Sequence, residues 1–185
     1  MIIAAVGKNA SGKDYFLEYI SKEFGVPLLS MGDVARSLAE KEGLEKTREN
    51  LHYISQKYMG QYGNDFFPKQ LIKMIKELGH ENVLVSGIRP PSDVEKFKEA
   101  FGSEFYLVAI VVEDDRVRYE RTVSRGSARD NVTYEKFIEL DKHEEELFQT
   151  SKTISMADYT FLRGDMPDDE YHQKIREFYT NTFVK

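Results

Sequence analysis

The chain of 185 residues contains no cysteine, so disulfide chemistry is excluded and a reducing compartment suits it. It has no apolar run of membrane-spanning length. The opening segment, residues 1–6, is apolar but is not led by a basic region, so it reads as neither a signal peptide nor a span, and a cytoplasmic protein without membrane contact is expected. Basic residues, 26 Lys and Arg, are outnumbered by 32 acidic ones. The net charge is −6, which argues against a general nucleic-acid or membrane-surface binder. The four histidines, His52, His80, His143 and His172, stand too far apart for metal-ligand spacing. There is no internal repeat, low-complexity tract or Pro/Gly-rich linker, and the length suits a single domain over residues 1–185.

Continuous apolar runs alternate with helical patterns. The stretches "MIIAAV", "VPLL", "NVLVSG", "FYLVAIVV" and "YTFL" read as five strands. Between them, Phe16, Leu17, Ile20 and Phe24 make one helical stripe, and residues 32–42, 48–59 and 66–78 read as helices. Ser92 with Glu95 has the spacing of a capping box, Asp114 to Arg125 is helical, and Thr133 caps a helix running to about Phe148 before a last helix closes the chain. Alternation of this kind predicts an α/β fold: a five-stranded parallel sheet with helices on both faces, in three layers. In such sheets ligands bind beyond the carboxyl ends of the strands.

The chemistry concentrates where the first strand ends. Gly7, four residues, then Gly12 and Lys13 form G-x-x-x-x-G-K, a spacing that chance supplies in roughly one chain in twenty of this length. Here it leaves an apolar strand and enters an amphipathic helix, the context a phosphate loop needs. Glycines let backbone N–H groups turn toward one anion, the helix N-terminus adds positive potential, and a lysine reaches the β- and γ-phosphates. Gly7, Lys8, Asn9, Ala10, Ser11, Gly12, Lys13 and Asp14 are therefore the candidate ATP-binding residues. Asp14 stands where Ser or Thr usually binds Mg²⁺; a carboxylate serves the same ion directly or through water.

The loop "GKNASGKDY" resembles the Gly-Lys-Asp variant found in phage deoxynucleoside monophosphate kinases and in animal-type phosphomevalonate kinase. "SMGDVAR" is similar to the Gly-Asp-x-x-Arg segment of adenylate-kinase-like enzymes, which implies an acceptor site at Asp33 and Arg36. "VSGIRPPSDVEKF" resembles the superfamily's strand-three segment and puts Arg89 in its arginine position, with Ser86 where an aspartate is usual. "ERTVSRGSARDN" looks like a short lid, about residues 121–133, with Arg121, Arg125 and Arg129 as its arginines. "ADYTFLRGD" resembles the last strand of dephospho-CoA kinases and of a related archaeal family, in which an Asn stands at the position of Leu162 or Arg163 and an Arg at that of Leu140.

The resemblance implies a kinase of the nucleoside monophosphate kinase superfamily that uses ATP and Mg²⁺. Lys13, Asp33, Arg121, Arg125 and Arg129 would be its catalytic residues. Acceptor-binding helices would span about 31–80, the acceptor contacts would be Asp33, Arg36 and Arg89, and Asp14 and Asp33 would be the metal ligands. The expected partner is a small-molecule acceptor: a nucleoside or deoxynucleoside monophosphate first, dephospho-CoA through a ribose hydroxyl second, phosphomevalonate third. A nucleotide-binding regulatory NTPase and a non-catalytic relative are the readings from other classes.

Composition supports the lid independently. Five of the ten arginines fall between Arg116 and Arg129 in an acidic protein. They form either a solvated face paired with Glu113, Asp114, Asp115 and Glu120 or a cationic set that an anion would gather. "DKHEEEL" reads as a solvated helix face, and Tyr53, Tyr58, Tyr62, Phe66 and Phe67 as core.

Overall fold

The structure is a computed structural model. It describes residues 1–124 and 132–184, without the side chain of Arg48. Five strands, β1 (Ile2–Val6), β2 (Leu28–Ser30), β3 (Val83–Ser86), β4 (Phe105–Val111) and β5 (Tyr159–Leu162), form one parallel sheet in the order β2-β3-β1-β4-β5. The helices are α1 (Lys13–Phe24), α2 (Met31–Lys41), α3 (Arg48–Tyr62), α4 (Phe66–Leu78), α5 (Pro91–Phe101), α6 (Asp115–Ser124), α7 (Tyr134–Phe148), α8 (Thr150–Ser155) and α9 (Asp168–Phe183).

Strand β1 shows why helices are needed on both faces. All five of its residues are buried. Because side chains alternate across a strand, Ile2, Ala4 and Val6 enter a cluster with residues of α2, α4 and α5, while Ile3 and Ala5 enter a second cluster with Phe16, Leu17 and Ile20 of α1 and Tyr171, Ile175 and Tyr179 of α9. This is the expected α/β fold, with five parallel strands and helices around them. Its centre, β1, is flanked by β3 and β4, so the chain reverses direction of winding there, and the crevice beyond the β1 carboxyl end falls at that reversal.

Local differences from expectation have local causes. The helix after β3 begins one residue before Ser92, with Pro91 in its first turn and Pro90 at the cap. Proline at the first helical position has no N–H to satisfy and a preset φ. The Ser92–Glu95 box therefore does not form, and the Asp93 carboxylate instead accepts the Arg89 backbone N–H at 3.2 Å. Thr133 does cap α7, accepting from Lys136 N at 3.3 Å. Of the five aromatics expected in the core, Phe67 is buried, but Tyr53 and Tyr62 are more than half exposed on α3. Tyr58 and Phe66 are half-buried against the core, and Tyr62 stacks on both of them. Among the described residues no helix is long and apolar enough to cross a membrane.

Candidate active site

The loop from Gly7 to Asp14 wraps the carboxyl end of β1. Gly7 must be glycine: a Cβ there would lie 2.5 Å from the carbonyl oxygen of Ile110 in β4 and 2.5 Å from Ser11 Oγ. Ala10 has φ 59 and Gly12 φ 92, left-handed conformations that fold the loop back on itself. Ser11 N donates to Lys8 O at 3.1 Å, and Ser11 is buried, its hydroxyl without a hydrogen-bond partner among the described residues. Successive turns of this type concentrate backbone N–H groups into an anion-binding concavity, and α1 begins at its edge with Lys13. The Lys13 side chain is largely buried, with Nζ 3.8 Å from Asp14 Oδ2, while Asp14 is well exposed.

A cleft of about 690 Å³ opens in front of this loop. Its walls include Lys13, Asp14 and Tyr15 from the α1 side, Ser30 from the β2 end, Gly32 from α2, Ser86 and Arg89 from the β3 end, and Asp141 and Glu144 from α7. The structure thus brings Asn9, Ala10, Gly12, Lys13 and Asp14 to one cleft with Arg89, while Asp33 and Arg36, expected beside Arg89, fall outside the residues that line it.

Asp33 and Arg36 sit at the start of α2, where local chemistry claims them. Ser30 caps the helix, and its hydroxyl accepts Asp33 N at 3.2 Å. In return Asp33 Oδ2 accepts Ser30 N at 2.7 Å and the Ser30 hydroxyl at 2.8 Å, while Oδ1 holds Arg36 at 2.5 Å. Burial raises the carboxyl pKa, but the hydrogen bonds from Arg36 and Ser30 outweigh it and hold Asp33 below its ordinary value. Both oxygens of Asp33 already accept hydrogen bonds at the helix start, so a metal ion would compete there with Ser30 and Arg36. Arg36 folds back over Gly32, its Nη1 2.9 Å from where a Gly32 Cβ would stand. Asp14 does suit one: its carboxylate is exposed beside Lys13, and Mg²⁺ typically takes only one or two carboxylates, with substrate phosphates and water completing its shell. No group of three or more His, Asp or Glu among the described residues could hold a metal alone.

Residues that sequence reading left undecided or took as solvated frame the cleft. Arg118, of which α6 buries the whole side chain, donates to both oxygens of Asp141 at 2.8 and 2.7 Å, to Asp115 at 2.5 Å and to the backbone oxygen of Asn9 at 3.1 Å. Burial disfavours the charge, but these carboxylates more than compensate and raise the guanidinium pKa. Asp141 also faces Lys8 Nζ at 3.7 Å. One turn on, Glu144 pairs with Arg89 at 3.1 Å and accepts the Asn9 side-chain amide. The "DKHEEEL" segment is therefore not simply a solvated face: Asp141 and Glu144 turn inward.

Arg163 is the other such residue. It is buried, its guanidinium 4.2 Å from the Tyr171 ring and bonded to Asp168 at 2.9 Å, and its Nη1 would stand 2.8 Å from a Cβ on Gly12. It backs the phosphate loop from behind. Nearby, Arg121 donates to the Gly164 carbonyl at 2.5 Å, and its pKa is lowered by burial and by Arg163. Arg125 and Arg129 lie outside the described residues, as does most of the lid segment.

Comparison with known proteins fits this geometry. Residues 6–137 match the family described as an AAA domain. The chain is 36% identical over 167 residues to a UPF0200 protein of Pyrococcus abyssi, covering 89% of this chain and 88% of that one. It is 34% identical over 179 residues to one of Thermococcus onnurineus, covering 96% and 95%. A UPF0200/UPF0201 protein of Archaeoglobus fulgidus is 38% identical over 178 residues, but the chain spans only 54% of its length. Among solved structures, shikimate kinase from Aquifex aeolicus aligns with TM-score 0.55 at 20% identity over 100% of both chains. Shikimate kinase from Bacteroides thetaiotaomicron aligns with TM-score 0.61 at 14% identity over 98% and 97%. At such identities these likenesses show a P-loop kinase-like fold and nothing finer. By sequence, the chain belongs to the UPF0200 family.

Proposed function

We propose that this UPF0200 chain is an ATP-dependent phosphotransferase that uses Mg²⁺ and acts on a small phosphorylated metabolite, a nucleoside or deoxynucleoside monophosphate being the first candidate. The observation that carries this is the shared cleft: Asn9, Ala10, Gly12, Lys13 and Asp14 of the phosphate loop line the same 690 Å³ space as Arg89. That space is large enough for a nucleotide's phosphates and a second small molecule.

The loop and the α1 N-terminus would bind the phosphates, with Lys13 as a point charge on the β- and γ-groups. Asp14 would hold Mg²⁺, which would supply positive charge against the charge that develops on the transferring phosphoryl group. Arg118, through Asn9, keeps the loop in register. Arg89 would hold the acceptor, and Arg121, Arg125 and Arg129 would come over the transferring group from the lid. Asp33 fixes the start of α2 and the position of Arg36.

A second reading, a dephospho-CoA-like acceptor offering a hydroxyl, draws support from the carboxylates. Arg36 is matched by Asp33 and Arg89 by Glu144, which lowers the cationic character of the acceptor side. The test is ATP consumption with and without a panel of monophosphates and hydroxyl-bearing metabolites. Stimulation by an acceptor supports a kinase and identifies its class. Turnover independent of any acceptor would indicate a regulatory NTPase, and no turnover at all a non-catalytic relative.

A further inference from the structure

Glu144 touches both sides of the cleft at once. One of its oxygens lies 3.1 Å from Arg89 at the end of β3, and the other accepts the side-chain amide of Asn9 in the phosphate loop. It is mostly buried, whereas Arg89 keeps half its side chain exposed to the cleft. The Arg89 guanidinium also lies over the Phe148 ring at 5.1 Å, and its backbone is held by Asp93 and Thr153, so it keeps its place without Glu144.

We infer that Glu144 is a specificity-determining residue that competes with the acceptor's anionic group for Arg89; this rests on the functional reading above. A guanidinium takes carboxylate and phosphate in the same forked geometry. An acceptor anion therefore gains Arg89 only by displacing Glu144, and a neutral group cannot displace it. A phosphate monoester, a dianion near neutral pH, outbids a single carboxylate charge. The residue thus sets a charge threshold on what enters, and the class it admits is the phosphomonoester. The acidic neighbour Asp141 does not share this role, because Arg118 holds both its oxygens.

The test is a double-mutant cycle on Glu144→Gln and Arg89→Ala. The phosphate loop is first filled with a non-hydrolysable ATP analogue and Mg²⁺, and inorganic phosphate is then titrated, with the rise in Tm as readout. Glutamine keeps the shape and an acceptor oxygen but removes the charge. Glu144→Gln should tighten phosphate binding by about two- to fivefold, the size of a half-exposed ion pair removed as competitor. In the Arg89→Ala background the same change should have no effect.

Weaker phosphate binding in Glu144→Gln would overturn the inference and make Glu144 a positioning partner of Arg89. An equal gain in the Arg89→Ala background would also overturn it, since the effect would then be long-range charge alone. Failure of the ATP analogue to bind the unaltered protein would overturn the functional reading itself, and this inference with it.

Discussion

Arg118 and Asp141, 23 residues apart in sequence, form a two-pronged ion pair at 2.8 and 2.7 Å with the guanidinium fully buried. The pair ties α6 to α7, and through the Asn9 carbonyl it ties both to the phosphate loop.

Removing one member of such a pair strands a buried charge. Arg118→Ala should cost about 3–5 kcal/mol of folding stability, and Arg118→Lys should recover only part of it, because an ammonium cannot make the forked contact. Urea denaturation measures both. A loss under about 1 kcal/mol for Arg118→Ala would mean the pair is energetically neutral in this fold.

Asp93 gives a pH signature. Burial pushes its carboxyl up to about 6 from an ordinary 3.8, against the partial relief of the Arg89 backbone N–H and charge. The folded protein therefore holds this proton more tightly than the unfolded chain does. The stability it contributes is fully present below pH 3.8 and is lost as pH rises through about 6. The loss amounts to at most about 3 kcal/mol. Asp93→Asn keeps an acceptor for Arg89 N–H and cannot ionise, so it should be more stable than the parent at pH 7 and flatten the stability profile between pH 4 and 6.5. Parallel pH–stability curves for the two proteins would contradict this.

The phosphate loop was legible because its chemistry depends on chain-local spacing: two glycines and a lysine at the end of an apolar strand leave few alternatives. The start of α2 was legible in a second way that the Gly-Asp-x-x-Arg resemblance overshadowed. Ser30 and Asp33 have capping-box spacing, and the structure uses them so. Arg118, Asp141, Glu144 and Arg163 were not legible as site-framing groups, because their partners come from other elements. Arg118 reaches Asn9 across 109 positions, and no local pattern marks it as buried rather than solvated. Tyr53 and Tyr62 show the converse, since aromatic character alone did not place them inside.

Gly7→Ala tests the cradle. The added Cβ meets the Ile110 carbonyl at 2.5 Å, a backbone atom of a buried strand that cannot retreat. The loop must move instead, at roughly 1–3 kcal/mol, and ATP affinity should fall at least tenfold. Adding Ser11→Ala relieves the second clash only, so it should not restore binding. Near-normal ATP affinity in Gly7→Ala would remove the loop from the nucleotide site.

Asp33, Arg36 and Arg89 separate the acceptor classes. For a monophosphate acceptor, Arg89→Ala and Arg36→Ala should raise acceptor KM more than Asp33→Asn does, and Asp33→Asn should cost less than about 1 kcal/mol of stability, because Ser30 still caps α2 and only the ion pair with Arg36 is lost. For a hydroxyl acceptor, a catalytic carboxylate at Asp33 would instead show as a kcat loss of about 10²-fold or more with acceptor KM nearly kept. Steady-state kinetics with the acceptor that emerges from the panel decides between them.

The most direct test of the central claim follows the phosphoryl group itself. The protein is incubated with Mg²⁺, γ-labelled ATP and each acceptor of the panel, and label is traced in the products, with Lys13→Ala in parallel. The account predicts label on one acceptor class, and loss of that transfer by several orders of magnitude in Lys13→Ala with the fold intact. Label released only as inorganic phosphate whatever the acceptor, or transfer undiminished in Lys13→Ala, would contradict it.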